Sequence, residues 1–276
     1  LLCRIPVPLR NPAFSRSLYT SSCHLSAVSF HASDVHIMLR EELLEKSKGP
    51  VPLGELHTDY MVEIDFDGVG WSRPVIRPFQ AISILPTAKV LHYAISVFEG
   101  LKAFRGVDGR IRIFRLDSHM ERLLNSAQRS ALPEFCPREL GALVCQLVRM
   151  EGSWVPSGSG LSLYIRPICI GTSSNLGVRV SRHCKLLVVC SPVGDYSHAR
   201  SSHLSLYADP CFIRSAPGGV GAFKMACNYA PTIEPLERVA RSFGCDQMLW
   251  LYGEDQKITE AGVMNVFILW KDKQGA

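Results

Sequence analysis

Gly218-Gly219-Val220-Gly221-Ala222-Phe223-Lys224 sets three glycines ahead of a lysine, and Met225-Ala226-Cys227-Asn228-Tyr229-Ala230-Pro231-Thr232 comes directly after. Glycine lets a backbone approach a ligand closely, and a lysine held in an enclosed apolar site can lose its proton and act as a nucleophile. By itself such a turn is most often a surface loop. The chain downstream of it is patterned for ordered structure. Pro231 to Phe243 has helical spacing and is stopped by Gly244, and Met248 to Tyr252 and Val266 to Trp270 are apolar enough for buried strands. Between these strands lie a polar loop, Gly253 to Lys257, and a short connector.

Upstream, Tyr60 to Asp67 alternates in the manner of a half-buried strand. Asp108-Gly109 is a hairpin signal before a short strand, Arg112 to Phe114. Met120, Leu123, Leu124, Ala127 and Ala131 fall at helical spacing after the cap candidates Asp117 and Ser118. Pro137 opens a second helix, with Gly152 as its stop, and Leu186 to Cys190 is a buried strand. Ser191-Pro192-Val193-Gly194-Asp195-Tyr196 is turn-rich and suits a linker. The pattern predicts a mixed α/β (α+β) architecture of two domains, 45–190 and 197–276, joined by 191–196, with the second domain incomplete.

Composition narrows the classes. The 276 residues are 47% hydrophobic and 20% charged, as in a soluble globular protein, and no run is long enough to span a membrane. Of the net charge of +5, Arg4, Arg10 and Arg16 supply three before the first acid, Asp34, leaving +2 for the rest. That is too little for a nucleic-acid surface. Residues 1–33, with those arginines, seven serines and no acid, have the composition of a mitochondrial transit peptide, although Pro6, Pro8 and Pro12 would interrupt a helix there. A disordered basic tail on a cytoplasmic protein is the alternative. The ten cysteines show no metal-like pairs and several lie in apolar runs, so reduced thiols and no metal site are expected.

Seven ordered blocks carry a resemblance. They are His92-Tyr93 with Val97-Phe98-Glu99-Gly100-Leu101-Lys102-Ala103-Phe104, His119 to Arg122, Leu163-Tyr164-Ile165-Arg166-Pro167, Ser191 to Gly194, Lys224 to Tyr229, Gln247 to Gly253, and Ile258 to Asn265. From about Thr58 onward the chain resembles the branched-chain-amino-acid aminotransferases of the eukaryotic type. The resemblance implies a fold-type IV pyridoxal 5'-phosphate enzyme: a smaller and a larger domain with the cofactor between them, assembled as a homodimer.

It also implies roles. Lys224 would be the Schiff-base lysine and proton shuttle, and Glu260 the partner of the pyridine nitrogen. Arg122 would hold the phosphate, and Tyr229 the phenolic oxygen. Val263, Met264 and Asn265 would lie at the cofactor. Tyr93, Phe98 and Tyr164 would line an apolar pocket for the side chains of leucine, isoleucine and valine. Arg166 and Lys102 would sit at its edge, near the second carboxylate of glutamate or 2-oxoglutarate. The same fold hosts D-amino-acid transaminases and aminodeoxychorismate lyases. The Phe98 to Lys102 and Leu163 to Pro167 blocks favour the branched-chain reading.

Departures from the family pattern are His57 for phenylalanine, Ala226-Cys227 for two glycines, Val263 for threonine, and one extra residue in the helix before Gly244. The family continues past Ala276 with further phosphate-binding loops, so weakened cofactor binding is expected of this chain. An inactive product that binds a full-length subunit is the alternative.

Overall fold

The computed structural model describes residues 29–46, 53–194 and 203–271. Two sheets organise it. The larger has eight strands: β1 (His36–Ile37), β2 (Tyr60–Phe66), β3 (Val75–Pro78), β4 (Ser96–Phe98), β5 (Leu101–Arg105), β6 (Ile111–Ile113), β7 (Ser162–Gly171) and β8 (Cys184–Val193). Their order is β1-β3-β2-β8-β7-β5-β6, with β4 also on β7. Five-residue α1 (Lys89–Tyr93) precedes β4, and α2 (Leu116–Arg129) and α3 (Pro137–Met150) follow β6.

The spine is the ten-residue antiparallel pairing of β7 with β8, from Ser162↔Val193 to Gly171↔Cys184. Val62, Ile64, Leu163, Ile165, Leu186 and Val188 are fully buried, and they meet Met120, Leu123, Leu140, Leu143 and Leu147 from α2 and α3 in one core. Along one edge of β7, β5 pairs with Leu163 to Ile165 and β4 with Ile168 to Ile170. The two are a single bent path broken at Glu99-Gly100, beside Pro167, which has no N–H to give a ladder. That break turns Glu99 out of the sheet and toward α2.

Three sequence expectations change here. Strand β8 runs through Val193, so Ser191 to Val193 of the expected linker are strand, because β7 is long enough to pair them. The remainder of that linker from Asp195 on lies outside the described residues. Residues 29–33, grouped by composition with the basic leader, belong to the domain. Phe30 and Ala32 are buried, Phe30 packs edge-on to Trp71 at 5.6 Å, and the Ala32 N–H donates to Glu139 at 2.6 Å. The rest of the leader, 1–28, lies outside the described residues. Helix α2 begins at Leu116 after Arg115 in the left-handed region (φ 53°), so Asp117 and Ser118 sit in its first turn and neither caps it.

The second sheet has three strands, β9 (Leu206–Asp209), β10 (Gln247–Tyr252) and β11 (Lys257–Ala261), with β10 central, β9 parallel to it and β11 antiparallel. Helix α4 (Ala230–Phe243) ends at Gly244 in the left-handed region (φ 65°), as the glycine predicts. Val239, Met248 and Trp250 form a small core of their own. The expected connector before Asn265 is in fact β11. Val266 to Trp270 is not a strand: it pairs with no neighbour among the described residues, and Phe267 and Leu269 are almost fully exposed. An apolar run becomes a buried strand only where a sheet edge meets it.

Candidate active site

Lys224 lies between the two sheets' elements, in neither a helix nor a strand. Its carbonyl accepts the Phe98 N–H at 3.1 Å, and Met225 bridges to Val97, so the loop is anchored on β4. Its N–H donates to the Ser126 hydroxyl of α2 at 2.9 Å. The glycines before it serve the loop's own path. Gly218 has φ +80°, and a Cβ on Gly221 would stand 2.2 Å from the Ser215 Cβ. The buried Asn228 amide donates to the Val220 and Phe223 carbonyls at 2.9 and 2.8 Å and closes the loop. Ala226 to Asn228, which include both residues that replace the family's two glycines, form one turn of 3-10 helix.

The Lys224 amine donates to the Tyr229 hydroxyl at 2.9 Å and lies 4.8 Å from the Phe98 ring centre. Phe98 is the hub. Tyr229 packs on it at 5.0 Å, and the Arg166 guanidinium sits 4.6 Å above it. Arg166 in turn donates to the Tyr164 hydroxyl at 2.6 Å. Lys102 is in register with Tyr164 on the adjacent strand, and both line a mainly apolar cavity of about 760 Å³ with Phe104, Ile113 and Phe114. The structure therefore brings together Lys224, Tyr229, Phe98, Tyr164, Arg166 and Lys102.

Glu260, on β11, reaches this group through a residue that sequence reading missed. Arg214 is buried, its Nε 3.1 Å from the Glu260 carboxylate and its guanidinium 5.2 Å from the Tyr229 ring centre. No motif surrounds Ile213-Arg214-Ser215, so nothing local marks it.

Arg122 is also present, but it is not a free fork. Two of its three nitrogens bond Glu99, Nε at 2.5 Å and Nη2 at 2.7 Å, and His119 gives the same carboxylate a contact at 2.9 Å. Glu99 is fully buried. Burial pushes its carboxyl up, and the hydrogen bonds from Arg122 and His119 outweigh that and hold it below its ordinary value. Sequence matching placed Glu99 in a block and assigned it no role.

Several expected residues stand apart. The Tyr93 hydroxyl donates to the Leu176 carbonyl, and its ring contacts are Lys89 and His92 rather than the Phe98 group. Val263 and Met264 are exposed, as is Asn265, on the turn that leaves β11. Met264 makes a single bridge back to Ala261, and this tight turn leaves all three side chains facing outward. His57 stacks on Phe79 at 3.7 Å and makes no contact with the group.

The arrangement sets five basic side chains, Lys224, Lys102, Arg122, Arg166 and Arg214, against two carboxylates, Glu99 and Glu260. Arg214 Nη1 is buried and has no hydrogen-bond partner among the described residues. A buried guanidinium nitrogen without an acceptor is costly, and a basic excess around an amine suits an anionic ligand. These residues fit pyridoxal phosphate: an amine for an aldehyde, a phenol and a carboxylate for the ring, and arginines for anions.

Comparison with known proteins gives the same direction. The model of the amino-transferase class IV family matches residues 96–274. The cytosolic branched-chain-amino-acid aminotransferase of Rattus norvegicus is 46% identical over 251 residues, covering 90% of this chain and 61% of that protein. The mitochondrial form from the same organism is 41% identical over 251 residues, 90% of this chain and 64% of that one. In fold, the chain superposes on the branched-chain aminotransferase of the archaeon Thermoproteus uzoniensis, solved with norvaline. The TM-score is 0.56 at 24% identity, over 73% of this chain and 63% of that one. The chain thus spans about three fifths of the length of the relatives it matches. The family model covers well over half of the sequence, so the chain belongs to the class IV aminotransferase family.

Proposed function

We propose that this chain performs the amino transfer between branched-chain L-amino acids (leucine, isoleucine, valine) and 2-oxoglutarate, giving branched-chain 2-oxo acids and glutamate. The observation that carries the proposal is the Lys224 amine, held 2.9 Å from the Tyr229 hydroxyl on the Phe98 ring. The names and sequence identity of the relatives support the substrate class.

Lys224, Tyr229, Glu260 and Arg122 would hold pyridoxal phosphate. When bound, it supplies an electron sink for the charge left at the substrate Cα. Lys224 takes the Cα proton, and the Phe98 ring beneath its amine keeps that nitrogen in apolar surroundings. Tyr229 fixes the amine's direction. Glu260, beside Arg214, would offer its carboxylate to the ring nitrogen. Phe98 and Tyr164 exclude water around an apolar side chain. Arg166 and Lys102 stand where a second carboxylate would be drawn, and Arg214 Nη1 is a further donor awaiting an acceptor. Tyr93, and the turn of Val263, Met264 and Asn265, contribute only in a homodimer or with rearrangement, since neither faces the group here.

A homodimer is proposed on the family resemblance. A mitochondrial location is proposed on the basic, acid-free composition of residues 1–28 and the mitochondrial relatives. Import into isolated mitochondria with loss of a basic leader is the check.

The activity is tested with the purified chain and pyridoxal phosphate, beside Lys224→Ala. A cofactor absorbance band that survives dialysis and is absent from the variant is expected, with glutamate formed from leucine and 2-oxoglutarate. Turnover of D-alanine in preference to L-leucine would instead place the chain with the D-amino-acid transaminases. No band in either protein would remove the proposal.

A further inference from the structure

Helix α2 meets the Lys224 site at two residues one turn apart. Arg122 presents a half-exposed guanidinium. Ser126 is fully buried, and its hydroxyl is used twice: it donates to the Arg122 carbonyl at 3.0 Å and accepts the Lys224 N–H at 2.9 Å. The other side of Lys224 is held from β4, where the Phe98 N–H donates to the Lys224 carbonyl at 3.1 Å.

A serine inside a helix is a poor helix former, and its bond back to the carbonyl four residues earlier stabilises nothing on its own account. The gain is made at Lys224. That residue lies outside every helix and ladder, and its N–H has no secondary-structure acceptor. Ser126 supplies one, and it does so from the same helix turn that carries Arg122.

We propose that Ser126 is a positioning residue of this site. Its hydroxyl fixes the Lys224 backbone to the helix that bears Arg122, and so sets the span between the amine that would engage the cofactor and the guanidinium that would hold its phosphate. This rests on the pyridoxal phosphate reading above. Such a ligand is gripped at two ends, and a misplacement of about 1 Å between grips is enough to cost orders of magnitude in a site of this kind. Ser126 itself acts only through Lys224 and Arg122.

The test compares the whole chain with Ser126→Ala and Ser130→Ala. Ser130 donates its hydroxyl to the Ser126 carbonyl at 2.9 Å, so its loss perturbs the same helix without touching Lys224. Amide exchange at Lys224 is read without cofactor, and pyridoxal phosphate is then titrated by absorbance. Ser126→Ala should exchange the Lys224 amide about tenfold faster and raise the half-saturating cofactor concentration about tenfold, the scale of one buried hydrogen bond. Ser130→Ala should change neither. Equal exchange and equal binding in Ser126→Ala overturn the proposal, as do equal effects from Ser130→Ala. Should Ser126→Ala fail to fold, Ser126→Thr, which keeps the hydroxyl, should protect the Lys224 amide and bind as the unmodified chain does; failure of the threonine variant on both counts overturns the idea. If the unmodified chain shows no band at any concentration, the transaminase reading falls and takes this proposal with it. If that chain binds and Ser126→Ala binds equally, only this proposal falls.

Discussion

Glu99 and Arg122 form a two-pronged ion pair in which the carboxylate is fully buried and the guanidinium is half exposed. The pair exists because β4 and β5 break at Glu99-Gly100 and aim the acid at α2. It presents the arginine at the site in one orientation, with part of its charge already matched.

Removing the acid should therefore loosen the arginine. Glu99→Gln keeps the shape and loses the charge, and about 2 kcal/mol of stability at neutral pH is expected to go with it. The Glu99 carboxyl is held below its ordinary value of 4.5 in the fold. Its contribution is therefore present above that value and lost as pH falls through the lower, folded one. Thermal melts from pH 7 into acid should show the two proteins diverging at neutral pH and converging in acid.

Glu151 behaves in the opposite sense. It is buried where α3 ends and accepts the Tyr60 N–H at 2.6 Å through one oxygen, while the other makes no hydrogen bond within normal geometry among the described residues. Burial pushes its carboxyl up from 4.5 to about 7. A raised acid binds a proton in the fold that the unfolded chain has already lost, so stability falls as pH rises from about 4.5 to about 7. Glu151→Gln should abolish that decline and exceed the parent's stability above neutrality by about 2 kcal/mol. A parent that is as stable at pH 8 as at pH 5, with an unchanged variant, would refute this.

Gly100 touches the Tyr164 hydroxyl so closely that an added Cβ would lie 2.2 Å from it. Gly100→Ala must push Tyr164 aside and with it Arg166, which bonds that hydroxyl at 2.6 Å. A stability loss of about 1–3 kcal/mol is expected. Under the proposed function the KM for 2-oxoglutarate should rise more than kcat falls, because Arg166 binds substrate without reacting.

The Arg214 side chain is 3% exposed and Glu260 is its only carboxylate among the described residues. Glu260→Ala would strand that charge, with an expected cost of about 3 kcal/mol, whereas Glu260→Gln should cost less. Both should lose at least about 100-fold in turnover if the carboxylate serves the ring nitrogen. A double-mutant cycle with Arg214→Met would separate the pairing energy from the chemistry.

Elements with local chemistry were readable in advance. Pro137 marks the first residue of α3, Gly244 the end of α4, and Asp108-Gly109 the turn between β5 and β6. In each case one residue's own dihedral preference decides the outcome. The start of α2 was missed because Arg115 takes a left-handed conformation that its side chain does not announce. The longest strand read in advance, β8, was the one whose ends were missed. Leu186 to Cys190 is apolar enough to stand out, while Lys185 and Ser191 to Val193 are drawn into β8 only by their partners on β7. Val266 to Trp270 shows the converse, an apolar run that meets no sheet edge among the described residues.

Family membership needs only residue order, and the proposal of Lys224 as the key lysine rests on the same ordered blocks along the chain. Which side chains meet is another matter. Ser126 and Lys224 are 98 residues apart, Glu99 and Arg122 are 23, and Arg214 joins Glu260 across a sheet that must first assemble. Contacts at such separations depend on strand order and on which faces the core buries, and no local propensity encodes either. Lys224 as a candidate was therefore legible in the sequence, whereas its anchor on Ser126, its platform on Phe98 and the Arg214 contact near it existed only once the strands had paired.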